Sequence, residues 1–239
     1  LAVENAPPGW RARFGMVPPL GAPVGFLAAN GLFLLLGMGL SEADFAAWGW
    51  RIPFLASAIL VGLGLWVRLK INETPEFAQA LAKDPPIPVP IGELIRNHAL
   101  AAFAGTFAVV ACFAIFYLST AFALAHGTTA LGYERETFLA VQLAATLFLV
   151  LGIIAAGVQA DASSSARVLT WGCVATIGMG MMFGPLLGSG SLWLVWIALS
   201  LALFVMGFVY GPLGAWLPSL FPPRVRYTGA SVAFNAGGI

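Results

Sequence analysis

The chain has 239 residues, of which 60% are hydrophobic and 9% charged, with a formal net charge of +1. A soluble single-core domain is excluded, because so little polar surface would leave large apolar patches in water. No excess of basic residues is present, and nucleic acid is not expected as a partner.

Charge is confined almost entirely to the gaps between apolar stretches, which run over 17–40, 52–71, 99–125, 137–160, 168–188 and 192–217, with a further one opening near Tyr227. A helix rises about 1.5 Å per residue and crosses the hydrocarbon core with about 20 apolar residues, so each stretch is long enough. The runs are continuously apolar, whereas strands of a lipid-facing barrel alternate over segments of about 10 residues. The expected fold class is therefore all-α, with polytopic transmembrane helices: six complete spans and a truncated seventh, embedded in a plasma or inner membrane. The first stretch is too long for a cleaved signal peptide. Leu1 in place of a methionine, and an apolar run still open at Ile239, predict a piece of a longer protein, with helices missing before Leu1.

Basic residues set the orientation, since loops rich in Lys and Arg stay in the cytoplasm. Arg11, Arg13, Arg68, Lys70, Lys83, Arg96, Arg167, Arg224 and Arg226 fall on one side, and only Arg51 and Arg135 on the other. The Arg11 end, the 72–98 loop and the Arg224 loop are thus expected in the cytoplasm. Trp48, Trp50, Trp193 and Trp196 then lie near the outer boundary, where amphipathic rings prefer to sit.

The 72–98 segment is rich in proline and carries both signs of charge, which predicts a linker between helical bundles. Residues 1–71 then close one bundle and 99–239 open the next. For the end of the linker two readings stand level: a short amphipathic helix over 92–98 on the membrane surface, or a featureless tether.

An internal similarity supports two equivalent halves. Arg11-Ala12-Arg13-Phe14-Gly15 is echoed by Arg224-Val225-Arg226-Tyr227-Thr228-Gly229, six spans later, each before a new span. Parallel six-helix repeats build one large class of transporters, which bind solute near the midplane.

Four further strings tie the chain to a family. Glu4-Asn5-Ala6-Pro7-Pro8-Gly9, Leu20-Gly21-Ala22-Pro23-Val24-Gly25, Trp48-Gly49-Trp50-Arg51-Ile52-Pro53-Phe54 and Glu73-Thr74-Pro75-Glu76-Phe77 resemble the metabolite:proton symporters of the major facilitator superfamily. Tyr210-Gly211-Pro212 and the segment from Leu220 to Ser231 resemble the region between helices ten and eleven of that family. The resemblance implies that the six spans are helices five to ten and that the last is eleven. It also implies proton-driven symport, by alternating access, of a small organic acid, amino acid or compatible solute. The driving force would be a proton gradient, with no cofactor and no metal. An uncoupled facilitator, or a proton antiporter or exporter of the same fold, is the alternative. A channel or a membrane-embedded enzyme is less favoured: no re-entrant polar segment is evident, and no His/Asp/Glu cluster stands at ligand spacing.

Candidate solute-lining residues are the uncharged polar groups within spans: Asn30, Gln142 and Thr146, the last two one helical turn apart, together with the hydroxyls of Tyr117 and Tyr210. For each, a contact between helices or aromatic packing is the competing reading. Arg11, Arg13, Asp161, Arg167, Arg224 and Arg226 are candidates for cytoplasmic gating and orientation. Gly157-Val158-Gln159-Ala160-Asp161 keeps the glycine and aspartate of a charged superfamily string, but the basic positions that follow are Ala162, Ser165 and Ala166. Asp161 is expected to cap a helix or meet a basic residue, with Arg167 one position out of place. Two small-residue stripes, Gly21/Gly25/Ala29 and Gly172/Thr176/Gly180/Gly184, are expected to admit a close helix.

Overall fold

A computed structural model describes residues 6–70 and 90–238. Six helices long and apolar enough to cross a membrane follow one another: α1 (Arg11–Gly39), α2 (Glu42–Lys70), α4 (Ala99–Thr129), α5 (Arg135–Ala162), α6 (Ser165–Leu187) and α7 (Leu192–Ser219). A short α3 (Pro90–Asn97) precedes α4, and α8 (Arg226–Gly237) follows α7. No strand occurs among the described residues. The chain is a multi-pass membrane protein.

Helix limits extend beyond the apolar stretches where backbone bonding outlasts hydrophobicity. α1 starts at Arg11, with an irregular step at Met16, although the apolar run starts at 17. α2 starts at Glu42, ten residues before its apolar run, because the Ser41 hydroxyl caps the first turn by accepting the Asp44 N–H at 3.1 Å. Of the two readings of the 92–98 segment the helix is the one found, at Pro90–Asn97. Most of the 72–98 linker, and the Glu73 to Phe77 string within it, lie outside the described residues, as does Glu4-Asn5.

α5 and α7 form the central pair and pack along most of their length. Their backbones nearly touch. A Cβ on Gly152 would stand 2.2 Å from the Phe204 carbonyl oxygen, and one on Gly207 would stand 2.3 Å from that of Leu149. α6 covers α7 on one side, while α4 and α8 close the other, around a core that includes Val109, Leu149, Ile153, Leu199, Leu203 and Val209. The close approaches thus fall mostly outside the two glycine stripes. Gly21, Gly25, Gly180 and Gly184 have open space where a Cβ would go, and Gly172 alone of that group meets a neighbour, Val209. Small residues permit an approach; which helix arrives is decided by the whole bundle.

α1 runs antiparallel along α5. Its Met16 thioether packs on Gly157 at one end, and Gly37 faces the Glu136 carboxylate at the other. α2 contacts little beyond α1, and no residue of its Arg51–Lys70 stretch is buried. Trp48, Trp50 and Trp193 are exposed at the helix ends opposite Arg11, and Trp193 stacks on Trp196 with ring centroids 4.8 Å apart. α3 is seated by Leu94, which is buried against Phe221 and Val225 in the bend between α7 and α8.

Candidate functional site

The basic end of the bundle is closed by a clasp between α1 and the α5/α7 pair. The Asp161 carboxylate, at the last turn of α5, accepts the main-chain N–H of Ala12 at 2.7 Å and that of Arg13 at 3.2 Å. The first turn of a helix leaves N–H groups without intrahelical partners and carries partial positive charge, so a carboxylate satisfies it on both counts. The Arg13 Nε stands 3.4 Å from the same carboxylate but makes no hydrogen bond to it, so the pair is a charge contact. The Arg13 guanidinium also lies 4.5 Å above the Trp10 ring. Asp161 is well shielded, with a side chain 7% exposed, whereas that of Arg13 is 32% exposed.

Glycines make the clasp tight. A Cβ on Gly214 would stand 2.0 Å from the Gly15 carbonyl oxygen, and one on Gly15 would stand 2.9 Å from the Ala215 Cβ and 3.0 Å from the Ala215 main-chain nitrogen. Helix α1 therefore meets α7 backbone to backbone, one turn from where Asp161 holds its start. Gly229, which ends the second string of the internal repeat, is likewise buried, against the Phe221 ring.

The remaining basic candidates sit around this clasp. Arg167 is exposed, and its main-chain N–H is capped by the Ser164 hydroxyl at 3.3 Å. The partner of Asp161 is α1 rather than Arg167, because the chain turns away through Ser163 and Ser164 before α6 begins. Arg226 donates from Nε to the Phe221 carbonyl at 3.4 Å, and Arg224 is exposed in the same bend. Arg11 is exposed at the start of α1.

Between the clasp and the opposite end of the bundle lies a band of aromatic rings that joins α1, α4, α7 and α8. Phe26 contacts Phe116 with centroids 5.9 Å apart, Phe116 contacts Tyr117 at 6.0 Å, and Tyr117 stacks on Phe113 at 6.1 Å. Phe113 meets Phe234 at 5.3 Å, and Phe234 meets Tyr210 at 6.3 Å. Tyr117 is 51% exposed and Tyr210 half-buried. Asn30, one turn beyond Phe26, is half-buried and donates to the Phe26 carbonyl at 3.1 Å. The structure thus brings Asn30, Tyr117 and Tyr210 into the neighbourhood of one band.

Gln142 and Thr146 lie elsewhere. Both are about 1% exposed, and Gln142 lies inside the contact of α5 with α4. The Gln142 amide donates to the carbonyls of Ser119 and Thr120, each at 2.8 Å, and the Thr146 hydroxyl returns to the Gln142 carbonyl at 2.9 Å. In this structure Gln142 makes a contact between helices, while the Thr146 hydroxyl bonds within its own helix. Sequence reasoning passed over the rings Phe26, Phe113, Phe116 and Phe234 as ordinary apolar residues; only their convergence in space distinguishes them. Cys112 and Cys173 are free thiols, the first in the core.

Comparison with known proteins bears on what such a bundle is. The sequence profile described as Major Facilitator Superfamily matches residues 20–239. The chain belongs to the Major Facilitator Superfamily. It is 41% identical over its whole length to the inner membrane metabolite transport protein YhjE of Escherichia coli K12, and covers 56% of that protein. It is 32% identical to the shikimate transporter of the same organism, covering 55% of it. Identity to the proline/betaine transporter of Salmonella typhimurium is 24%, over 98% of the chain and 49% of that protein. The chain therefore spans about half the length of the curated relatives it matches. No solved structure matches it.

Proposed function

We propose that the protein is a secondary active transporter of the plasma membrane, in which this chain supplies one side of a solute pathway and part of its cytoplasmic gate. The observation that carries the reading is the clasp of α1 by Asp161. It joins two elements far apart in sequence through hydrogen bonds and a backbone contact, beside an apolar cluster of only Ala12, Ala156, Ala160 and Val168, and a contact this small and polar suits opening and closing. Alternating access needs such a contact on one side of the solute, with the site beyond it. The aromatic band, with Asn30 and the tyrosine hydroxyls beside it, stands on the outer side of the clasp as such a site would.

The transported solute is proposed to be a small organic acid, amino acid or compatible solute. The relatives support this range, being named for unspecified metabolites, shikimate, and proline or betaine. Proton symport is the proposed coupling, with the proton gradient as driving force and the titrating groups in helices preceding α1.

Uptake by the full-length protein in proteoliposomes tests both parts, using radiolabelled carboxylates, amino acids and betaines with and without an inward proton gradient. Accumulation of one solute only under the gradient, abolished by a protonophore, is the expected result. Equal uptake under both conditions would replace symport with facilitated diffusion, and failure of every solute class would reject the substrate range.

A further inference from the structure

α4 does not wind evenly. Over Leu118–Phe122 its backbone forms a π turn, in which N–H groups reach one residue further back than in an α-helix. Such a turn inserts one residue, and a residue is worth about 100° of helix rotation. Everything outward of the turn, including His126, is therefore rotated by that step relative to Phe113, Phe116 and Tyr117 in the aromatic band.

A π turn in a membrane helix disturbs the pairing of its carbonyl groups, which find no water in the hydrocarbon layer. Here the disturbed carbonyls are met from another helix. Gln142 of α5 donates both of its amide contacts to this turn, to Ser119 and Thr120, with donor and acceptors buried. A second feature sits in the same turn. Thr106, Thr120, Thr128 and Thr129, the other aliphatic hydroxyls of α4, each donate to the carbonyl four residues back. The Ser119 hydroxyl is fully buried and has no partner. The π form thus satisfies its backbone through Gln142 while leaving one side chain unsatisfied, so it is held from outside rather than preferred locally.

We propose that Gln142 is a positioning residue, a latch that holds α4 in its π register and so fixes how Tyr117 and the band are turned relative to the outer end of the helix. Loss of the latch lets the turn relax to α, where Ser119 can bond its own helix as the threonines do. The register is a property of the helix alone; its use in outer gating rests on the transport reading above.

The test uses the full-length protein with Cys112 and Cys173 replaced by alanine and spin labels on cysteines introduced at Thr129 and Trp193, both exposed at outer helix ends. Distances and amide exchange are measured without solute, so failure of the transport reading would leave this result standing. In Gln142→Leu, exchange of the amides from 118 to 126 is expected to rise by about tenfold or more, with a second distance population, while the rest of α5 and α7 keeps its protection. In Ser119→Ala, which removes the unsatisfied hydroxyl, exchange over the same amides is expected to slow by about threefold. Unchanged distances and exchange in a folded Gln142→Leu protein would overturn the proposal, as would acceleration spread evenly over α4, α5 and α7. If Gln142→Leu does not fold, the Ser119→Ala result decides, and no slowing there overturns it.

Discussion

Replacing Asp161 by alanine removes the acceptor of two main-chain N–H groups and the anion beside Arg13 while leaving the glycine contacts intact. Hydrogen bonds to a charged group contribute about 1.5–3 kcal/mol each, and the 3.2 Å bond to Arg13 belongs at the lower end. The Arg13 side chain is about a third exposed, so its charge contact adds under about 1 kcal/mol after screening. Water reaches the same N–H groups once the clasp opens, which offsets part of the gain and leaves roughly 3 kcal/mol in favour of the closed form. That corresponds to a shift in the closed-to-open ratio on the order of 100-fold. The assay is labelling of a cysteine at Asn30 by a membrane-impermeant maleimide added from the cytoplasmic side, in a protein lacking Cys112 and Cys173. Asp161→Ala is expected to raise the rate by about tenfold or more, and Asp161→Asn, which keeps an acceptor but not the charge, by less. Equal rates in all three proteins would refute the assignment of this clasp as the cytoplasmic gate.

Gly214→Leu places carbon where the Gly15 carbonyl now stands, so the clasp should be unable to close, and Asn30→Cys should label fast from the cytoplasm even with Asp161 intact. Gly152→Ala puts a methyl within 2.2 Å of the Phe204 carbonyl and is expected to cost about 1–3 kcal/mol by overpacking, read as a lower melting temperature in detergent. Gly180→Ala meets nothing within 4 Å and should leave the melting temperature unchanged or slightly raised; a loss equal to that of Gly152→Ala would mean the α5–α7 approach is not the tight one. Leu94→Ala empties the seat of α3 on Phe221 and Val225, at a cost of about 2 kcal/mol, so exchange of the amides from 91 to 97 should accelerate while α4 keeps its protection.

The chain's own composition decides that it crosses a membrane, where it crosses, and which ends gather the arginines. Each apolar stretch carries its full length of hydrocarbon-compatible residues, and no partner is needed to make it helical in lipid, because a helix satisfies its backbone internally. That is why the six spans are legible from residues alone, while for the short helix before α4 the residues leave a plain tether equally open and only the structure decides. The ends of α1 and α2 are less so, since hydrogen bonding past Arg13 and the cap at Ser41 ignore hydropathy. Asp161 was readable as a cap or an ion-pair partner from its place after Gly157, but its partner was not: the first turn of α1 lies 149 residues away in sequence and is brought to Asp161 only by the antiparallel run of α1 along α5. The same limit governs Gln142. An amide within a span must find a partner, which residue chemistry alone dictates. That the partner is a pair of carbonyls in an irregular turn of α4, while Asn30, Tyr117 and Tyr210 gather near a band of rings, is decided by packing, because a polar group in lipid takes whichever helix face the bundle sets against it.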